Sequence, residues 1–398
     1  MTSLLIIVIV ALLGIAVWQL TKIFDLTQSK HQLGEEFKSE IATDKDNSIN
    51  GYLMFGFLAF IYILTIYCCL KWGYMPLLDN AASEHGKDVD QLMWITLGVI
   101  FFVQAITQFI LHYFAFIYRG KKDRKAVFYA ENDKLEFVWT IIPVIVLSGL
   151  ILYGLYAWNN IMHYDEEEEV LYVEVYAKQF GWDFRYGGDD NVLGKANVRF
   201  IEGINVVGVD MSDPNAQDDV MSKELRLPVG KKVVLKMRSQ DVLHSAYFPQ
   251  FRAQMNTVPG MVTQFIMTPS VTTADMRERE EIIDKVNKIN EVRNERSKVL
   301  VSKGEEGLQP YTFDYILLCN KICGRSHYNM QAKIVVETPE EFNSWLKGQP
   351  RLGKQVAEEK AAATAPEIEI LPEIEEPAST PDMEIVVDST AIVAQVIK

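Results

Sequence analysis

Cysteine and histidine are scarce in this sequence: 398 residues hold four Cys and six His. So few thiols exclude a disulfide scaffold, and so few imidazoles exclude a multi-metal cage built mainly from them. Positive charge is short as well. Lys and Arg number 39 against 53 Asp and Glu, and the net charge of −14 argues against a nucleic-acid partner. Aromatic residues are not short. Phe 20, Tyr 17 and Trp 7 are more than a chain without a core would carry. A mean hydropathy of +0.03 is high for so acidic a chain, so the apolar residues must be bunched.

They are bunched into segments at 3–20, 51–72, 93–118 and 137–158, none with a charged residue in its central part. Each is close to the roughly 20 residues needed to cross a bilayer. The first could be a signal peptide, but it lacks a basic start and a small-residue cleavage site, so it reads as a retained anchor. Between the third and fourth segments, five of the seven residues 119–125 are Lys or Arg, which places that loop in the cytoplasm. Residues 21–50, with four Lys, belong on the same side. Four crossings then leave both termini, and the whole C-terminal half, outside.

After the fourth segment the chain reads as β, with partial alternation at 171–176, 180–186, 224–228, 233–237, 261–267, 311–318 and 332–336. Short strands with a Pro259-Gly260 turn predict a small antiparallel sandwich or barrel. Residues 274–299 break the pattern. They are rich in Glu, Lys and Arg, with Ile282, Ile283, Val286 and Ile289 at helical spacing, and predict an inserted amphipathic helix. That helix either lies solvated on the sandwich or docks a partner subunit. Residues 355–398 read as a disordered tail or an extended arm laid on a neighbour: four Pro, and ten acidic residues against Lys360 and Lys398.

The chemistry is concentrated in residues 319–330, where Cys319, Cys323, His327 and Met330 lie within twelve positions. Thiolate and thioether with imidazole favour copper over the oxygen-preferring ions. A mononuclear blue-copper loop needs one Cys; two on one loop can bridge two metals. An upstream imidazole, His244, completes the count, so that each metal has both sulfurs and one nitrogen. Met330 and a backbone carbonyl of the loop supply the weak contacts. A disulfide, or a zinc site of Cys319, Cys323, His327 and His244, remains open, although zinc would leave Met330 unused.

The region from Met93 to Leu346 resembles subunit II of the haem–copper terminal oxidases, the cytochrome c oxidase type. The resemblance rests on the 319–330 spacing, on Glu136, Trp139, Thr140 and Pro143 at the start of the fourth segment, on Leu227-Pro228-Val229-Gly230, on the motif 241–245 and on Val258-Pro259-Gly260. It does not cover the first two apolar segments, the insertion or the tail. It implies a cupredoxin-like β-barrel on a two-helix hairpin; with the two extra apolar segments and the insertion added, the expectation is a membrane-anchored chain of four transmembrane helices followed by an all-β cupredoxin-like barrel with a helical insertion. The corresponding divisions are two extra helices and their cytoplasmic loop in 1–75, the family hairpin in 90–160, the copper domain in 165–350 with its insertion at 274–300, and the tail in 355–398. It implies a binuclear CuA centre of two coppers held by His244, Cys319, the Lys321 carbonyl, Cys323, His327 and Met330. Oxidase subunits I and III are the implied partners, in a bacterial inner membrane, with the copper domain periplasmic. Electrons would come from cytochrome c, or from a cytochrome c domain of a reductase in a supercomplex, and pass to haem in subunit I. Oxygen reduction and proton pumping would occur there. The family match also implies a proton-uptake role for Glu136, for which an interfacial carboxylate favoured by the helix dipole is the plainer reading.

This sequence departs from the family at three places. Leu317-Leu318 replaces the usual Gly-Gln. Lys321 replaces a Glu whose carboxylate helps hold magnesium at the subunit I boundary. Lysine cannot ligate Mg2+, so that magnesium site is in doubt, or Lys321 supplies the positive charge itself. Phe180 replaces the first Trp of the exposed run Gln179-Phe180-Gly181-Trp182, the usual point where electrons enter; Trp182 remains and reads equally as core. The acidic run 165–169 suits either a solvated linker or the steering of a basic donor. Three rivals follow. A quinol-oxidising relative would lack the ligands, nitrous-oxide reductase would need more His, and a membrane-anchored copper- or zinc-binding accessory protein would not need the Glu136–Pro143 motif.

Overall fold

The computed structural model describes residues 10–23, 43–72, 80–165 and 168–364. They fall into two units: Met1–Met75 with Leu97–Pro143, and Pro76–Thr96 with Val144–Lys398.

The first apolar helix, α1, spans Val10–Ile23. At about 1.5 Å per residue it is shorter than the ~30 Å hydrocarbon core. The earlier part of the expected first crossing lies outside the described residues. Among the described residues three helices are long and apolar enough to cross a membrane: α2 (Asp44–Trp72), α3 (Glu84–Ile117) and α4 (Asp133–Met162). Four were expected. Beyond their charged opening turns they are mainly apolar on every side, as lipid contact requires. Within the first unit α2 and α3 run antiparallel. Tyr62 donates to the Ala105 carbonyl at 2.6 Å, and at the other end Asp44 accepts from the Lys122 N–H at 2.8 Å. Gly51 permits the close approach of Phe116, which stacks under the Arg119 guanidinium at 4.1 Å. The start of α2 and the basic loop therefore share one side.

The second unit carries two five-stranded sheets. One has the order β3-β2-β1-β5-β8, from Val220–Ser222, Gly181–Tyr186, Leu171–Lys178, Val233–Ser239 and Thr263–Met267. The other has the order β4-β10-β9-β6-β7, from Leu225–Pro228, Gln331–Glu337, Tyr315–Cys319, His244–Phe248 and Ala253–Thr257. Val173, Val175, Phe184, Leu235, Phe248, Phe251, Tyr315 and Leu317 belong to the core between them. Strands β3, β6 and β7 were not foreseen, being too short or too polar to stand out. The expected antiparallel pairing also needs correction, because β1–β5 and β4–β10 are parallel. Side chains alternate in the same way in both arrangements, so the pattern does not report direction.

The outer face of the first sheet is covered too. Tyr176 packs with Val207, Val209, Ala216, Leu352 and Val356. Beside them Arg185 reaches Glu174 at 2.6 Å and Asp219 at 2.5 Å, all three buried. Here the expected tail is corrected: residues up to Thr364 belong to helix α8 (Leu352–Thr364), which seats Leu352 and Val356 in that cluster. Residues 365–398 lie outside the described residues. The insertion is helical, as α5 (Thr273–Glu278) and α6 (Glu280–Ser302). Ile282 and Val286 pack on the core, and Asn290 and Ser297 hold the irregular segment that leads into β9 at Tyr311 and Leu308; the strand expected from 311 begins only at Tyr315. Helix α7 (Pro339–Gly348) follows β10 with a Thr338–Glu341 capping box.

Candidate metal centre

Two strand ends and one loop build the site. His244 opens β6 and is fully buried. Cys319 closes β9 and lies beside β6 through the Ala246–Cys319 pairing. The loop after Cys319 is closed by two backbone bonds, Cys319 N–H to the Met330 carbonyl and Asn320 N–H to the Ser245 carbonyl, both 3.0 Å. A short 3-10 turn at His327–Asn329 then brings Met330 back under the loop. Gly324 sits at φ +139°, and a Cβ there would lie 3.0 Å from the Phe180 ring.

These constraints bring the candidate ligands together. The Cys319 and Cys323 sulfurs are 3.8 Å apart. That is far beyond the ~2.05 Å of a disulfide, and both thiols are free. His244 Nδ1 lies 3.8 Å from Cys319 Sγ, and His327 Nδ1 lies 3.5 Å from Cys323 Sγ. Met330 Sδ is 3.7 Å from Cys323 Sγ, and the Lys321 carbonyl oxygen is 3.2 Å from Cys319 Sγ. The donor atoms of His244, Cys319 and Cys323 all lie within 4.8 Å of one another, the compactness a metal site needs. Both cysteines and Met330 are buried, whereas the Lys321 side chain is exposed.

The surroundings orient this set. Asp241 accepts from His244 Nε2 at 2.9 Å and from the Gln179 and Val242 N–H groups at 2.8 and 2.7 Å. Burial opposes its ionisation, but these bonds hold the carboxyl below the usual range. Burial, with Cys319 alongside, pushes the Cys323 thiol up to about 11. A bound cation would be needed to hold that sulfur as thiolate at neutral pH. The Gln179 side chain donates to the Cys323 carbonyl. Neither Gln179 nor Asp241 was singled out as a site residue. Asp three residues before His within one turn was the available signal. Trp182 is buried with its ring 6.2 Å from that of His244, inclined at 62°, while Phe180 is partly exposed. Glu136 lies in the first turn of α4, exposed and in the other unit.

Family models match in two stretches: the transmembrane domain of cytochrome c oxidase subunit II over residues 69–157, and its periplasmic domain over residues 171–276. The alternative cytochrome c oxidase subunit 2 of Bradyrhizobium diazoefficiens is 30% identical over 280 residues, spanning 70% of this chain and 84% of the relative. The chain belongs to the cytochrome c oxidase subunit II family. It is also 23% identical over 320 residues to cytochrome c oxidase subunit 2 of Thermostichus vulcanus, covering 73% of this chain and 81% of that one. Among solved structures, the periplasmic domain of subunit II of cytochrome oxidase of Bradyrhizobium japonicum matches with a TM-score of 0.26 and 18% identity, covering 45% of this chain and 92% of that one. As a family member this chain is part of a multi-subunit oxidoreductase complex, with a multi-pass membrane anchor and a periplasmic electron-transfer domain of cupredoxin-like kind. The periplasmic match ends at residue 276, ahead of α6 and of the cysteine loop. The metal reading of that loop therefore stands on its own geometry.

Proposed function

We propose that this chain is the electron-accepting subunit of a cytochrome c oxidase, and that it holds a binuclear copper centre of the CuA type. The observation that carries this is the pair of buried thiols 3.8 Å apart, each with an imidazole Nδ1 on its outer side. A thioether next to one sulfur and a carbonyl next to the other complete the set. The doubled soft donors suit two coppers, and Met330 has no use in a zinc site. When bound, such a centre would take up and release one electron shared over two metals, with little movement of its donors.

The chain's own residues would supply the rest. Asp241 orients the His244 ring, and buried Cys319, Cys323 and Met330 exclude water from the donors. Phe180 at the surface and Trp182 against His244 offer aromatic contact on the way in. In this reading the donor is cytochrome c or a cytochrome c domain of a reductase. The acceptor is haem in subunit I, where oxygen reduction and proton pumping take place, with subunit III also in the assembly. Glu136 at the start of α4 takes part in proton uptake. The domain divisions given above, with α1 completing a fourth crossing, belong to the same proposal.

The test is metal analysis and electron spin resonance on the purified full chain. Two coppers per chain with equally shared spin are expected, and Cys319→Ser should abolish the sharing because a hydroxyl does not bridge as a thiolate does. A single zinc would favour the alternative, a membrane-anchored metal-binding accessory protein.

A further inference from the structure

The opening of α3 is bonded to the β domain within the second unit. Ala82 N–H donates to the Gln250 carbonyl at 2.7 Å, Ser83 Oγ to the Phe251 carbonyl at 2.6 Å and Glu84 N–H to the Thr268 carbonyl at 3.0 Å. Arg252 pairs with Asp90 at 2.6 Å. Space demands glycine at position 86, where a Cβ would lie 2.6 Å from that of Ala81 and 2.8 Å from Ser83 Oγ. These contacts fix His85 against the domain, with its ring centroid 5.5 Å from that of Phe265.

The His85 ring bonds to the backbone carbonyls of Arg252 and Phe251. Its Nε2 is buried and has no hydrogen-bond partner among the described residues. The nitrogen that donates to the carbonyls is therefore Nδ1, and in the neutral ring Nε2 keeps the lone pair. A buried polar atom left in this way is costly and calls for a partner. One N–H spent on a backbone carbonyl, with the other nitrogen open, is also how metal-binding histidines are held.

His85 lines a cavity of about 250 Å3 together with Glu84, Asp88, Asn160, His163 and Lys232. Glu84 and Asp88 share the opening turns of α3, while His163 follows the end of α4, which Ile161 and Met162 fasten to the core. His163 Nε2 lies 3.4 Å from the Asp165 carboxylate, so Nδ1 is its remaining nitrogen. Lys232 is committed to Glu168 at 2.5 Å. Glu84, Asp88 and His163 are exposed, so their side chains can turn toward His85.

We infer that this cavity is a second metal site, for a borderline divalent cation of the Zn2+ kind, with His85 Nε2 as its fixed donor and His163, Asp88 and Glu84 closing around the ion. Two imidazoles with two carboxylates make a tetrahedral zinc set. Calcium and magnesium would leave the imidazoles unused, and copper(I) would prefer the sulfur-rich loop. The bound ion would join the start of α3 to the end of α4 where both meet the β domain. The site shares no residue with the cysteine loop.

The test uses the full chain in detergent, loaded first with copper, and Zn2+ as the probe. Calorimetric titration should show one zinc per chain. X-ray absorption at the zinc edge should show nitrogen and oxygen neighbours, imidazole among them, and no sulfur. H163Q and D88N alter exposed side chains, so they carry the result even where H85Q disturbs the packing around Phe265. Each should weaken zinc at least about tenfold, as loss of even an orienting partner does, and H85Q should abolish binding. Zinc should raise the Tm of the unmodified chain and have a smaller effect on H163Q. Zinc bound only through sulfur, nitrogen–oxygen zinc that H163Q and D88N leave unchanged, or no zinc binding at all would each overturn the inference. The sulfur neighbours separate zinc at Cys319 and Cys323 from zinc at His85, so the result stands whether or not the cysteine loop holds copper.

Discussion

Asp241 accepts a hydrogen bond from Nε2 of His244 at 2.9 Å, and this turns the other ring nitrogen toward Cys319. A carboxylate can only accept, so Nε2 carries the proton and Nδ1 presents its lone pair to the metal side. Asp241 also ties the Gln179 turn to the site through a 2.8 Å bond.

Asp241→Ala should therefore weaken metal binding without removing a ligand. Loss of such an orienting partner costs about 10–100-fold in affinity. Competition against a chelator of known affinity measures it, and unchanged affinity would show that strand pairing alone orients His244.

Metal loading should be proton-linked at Cys323. Its thiol is pushed up to about 11 by burial, so at neutral pH it is protonated until the metal arrives. Binding then releases that proton, so affinity should rise with pH, by about tenfold per unit for each proton released. Metal titrations in buffers of different protonation enthalpy count the protons; a count of zero would contradict the buried-thiol geometry.

Lys321 should be dispensable for metal binding. Its carbonyl oxygen is 3.2 Å from Cys319 Sγ while its side chain is exposed. Lys321→Ala should leave the spin-resonance signature nearly intact. If the ammonium stands in for a magnesium ion against acidic groups of subunit I, the same variant should slow copper-to-haem transfer or loosen subunit association. Lys321→Glu should recover with excess Mg2+. A lost copper signal would mean that the loop depends on the side chain.

The Arg185 cluster should matter for stability. Arg185 is buried between Glu174 and Asp219. Arg185→Ala would strand buried Asp219 and leave Glu174 with Arg238 alone, and breaking such a buried pair costs about 3–5 kcal/mol. Thermal unfolding of the full chain should show a large downward shift in Tm. Arg185→Met with Asp219→Asn should lose less, because no carboxylate of the cluster is then left without a cation, Glu174 keeping Arg238.

The nearness of Cys319, Cys323, His327 and Met330 was legible in the sequence, because the four lie within twelve positions of one loop. The long apolar helices were legible because lipid contact needs whole turns of apolar side chains. His244 was readable only as a motif, being 75 residues from Cys319; the β6–β9 ladder joins them. Strand direction, the helical continuation to Thr364 and the contact of Asp241 with His244 depended on packing partners far away in sequence. The separation of Glu168 and Glu169 from Phe180 is likewise a matter of folding: they pair with Lys232 and Lys231 ahead of β1, and the extended strand sets Phe180 about 25 Å away.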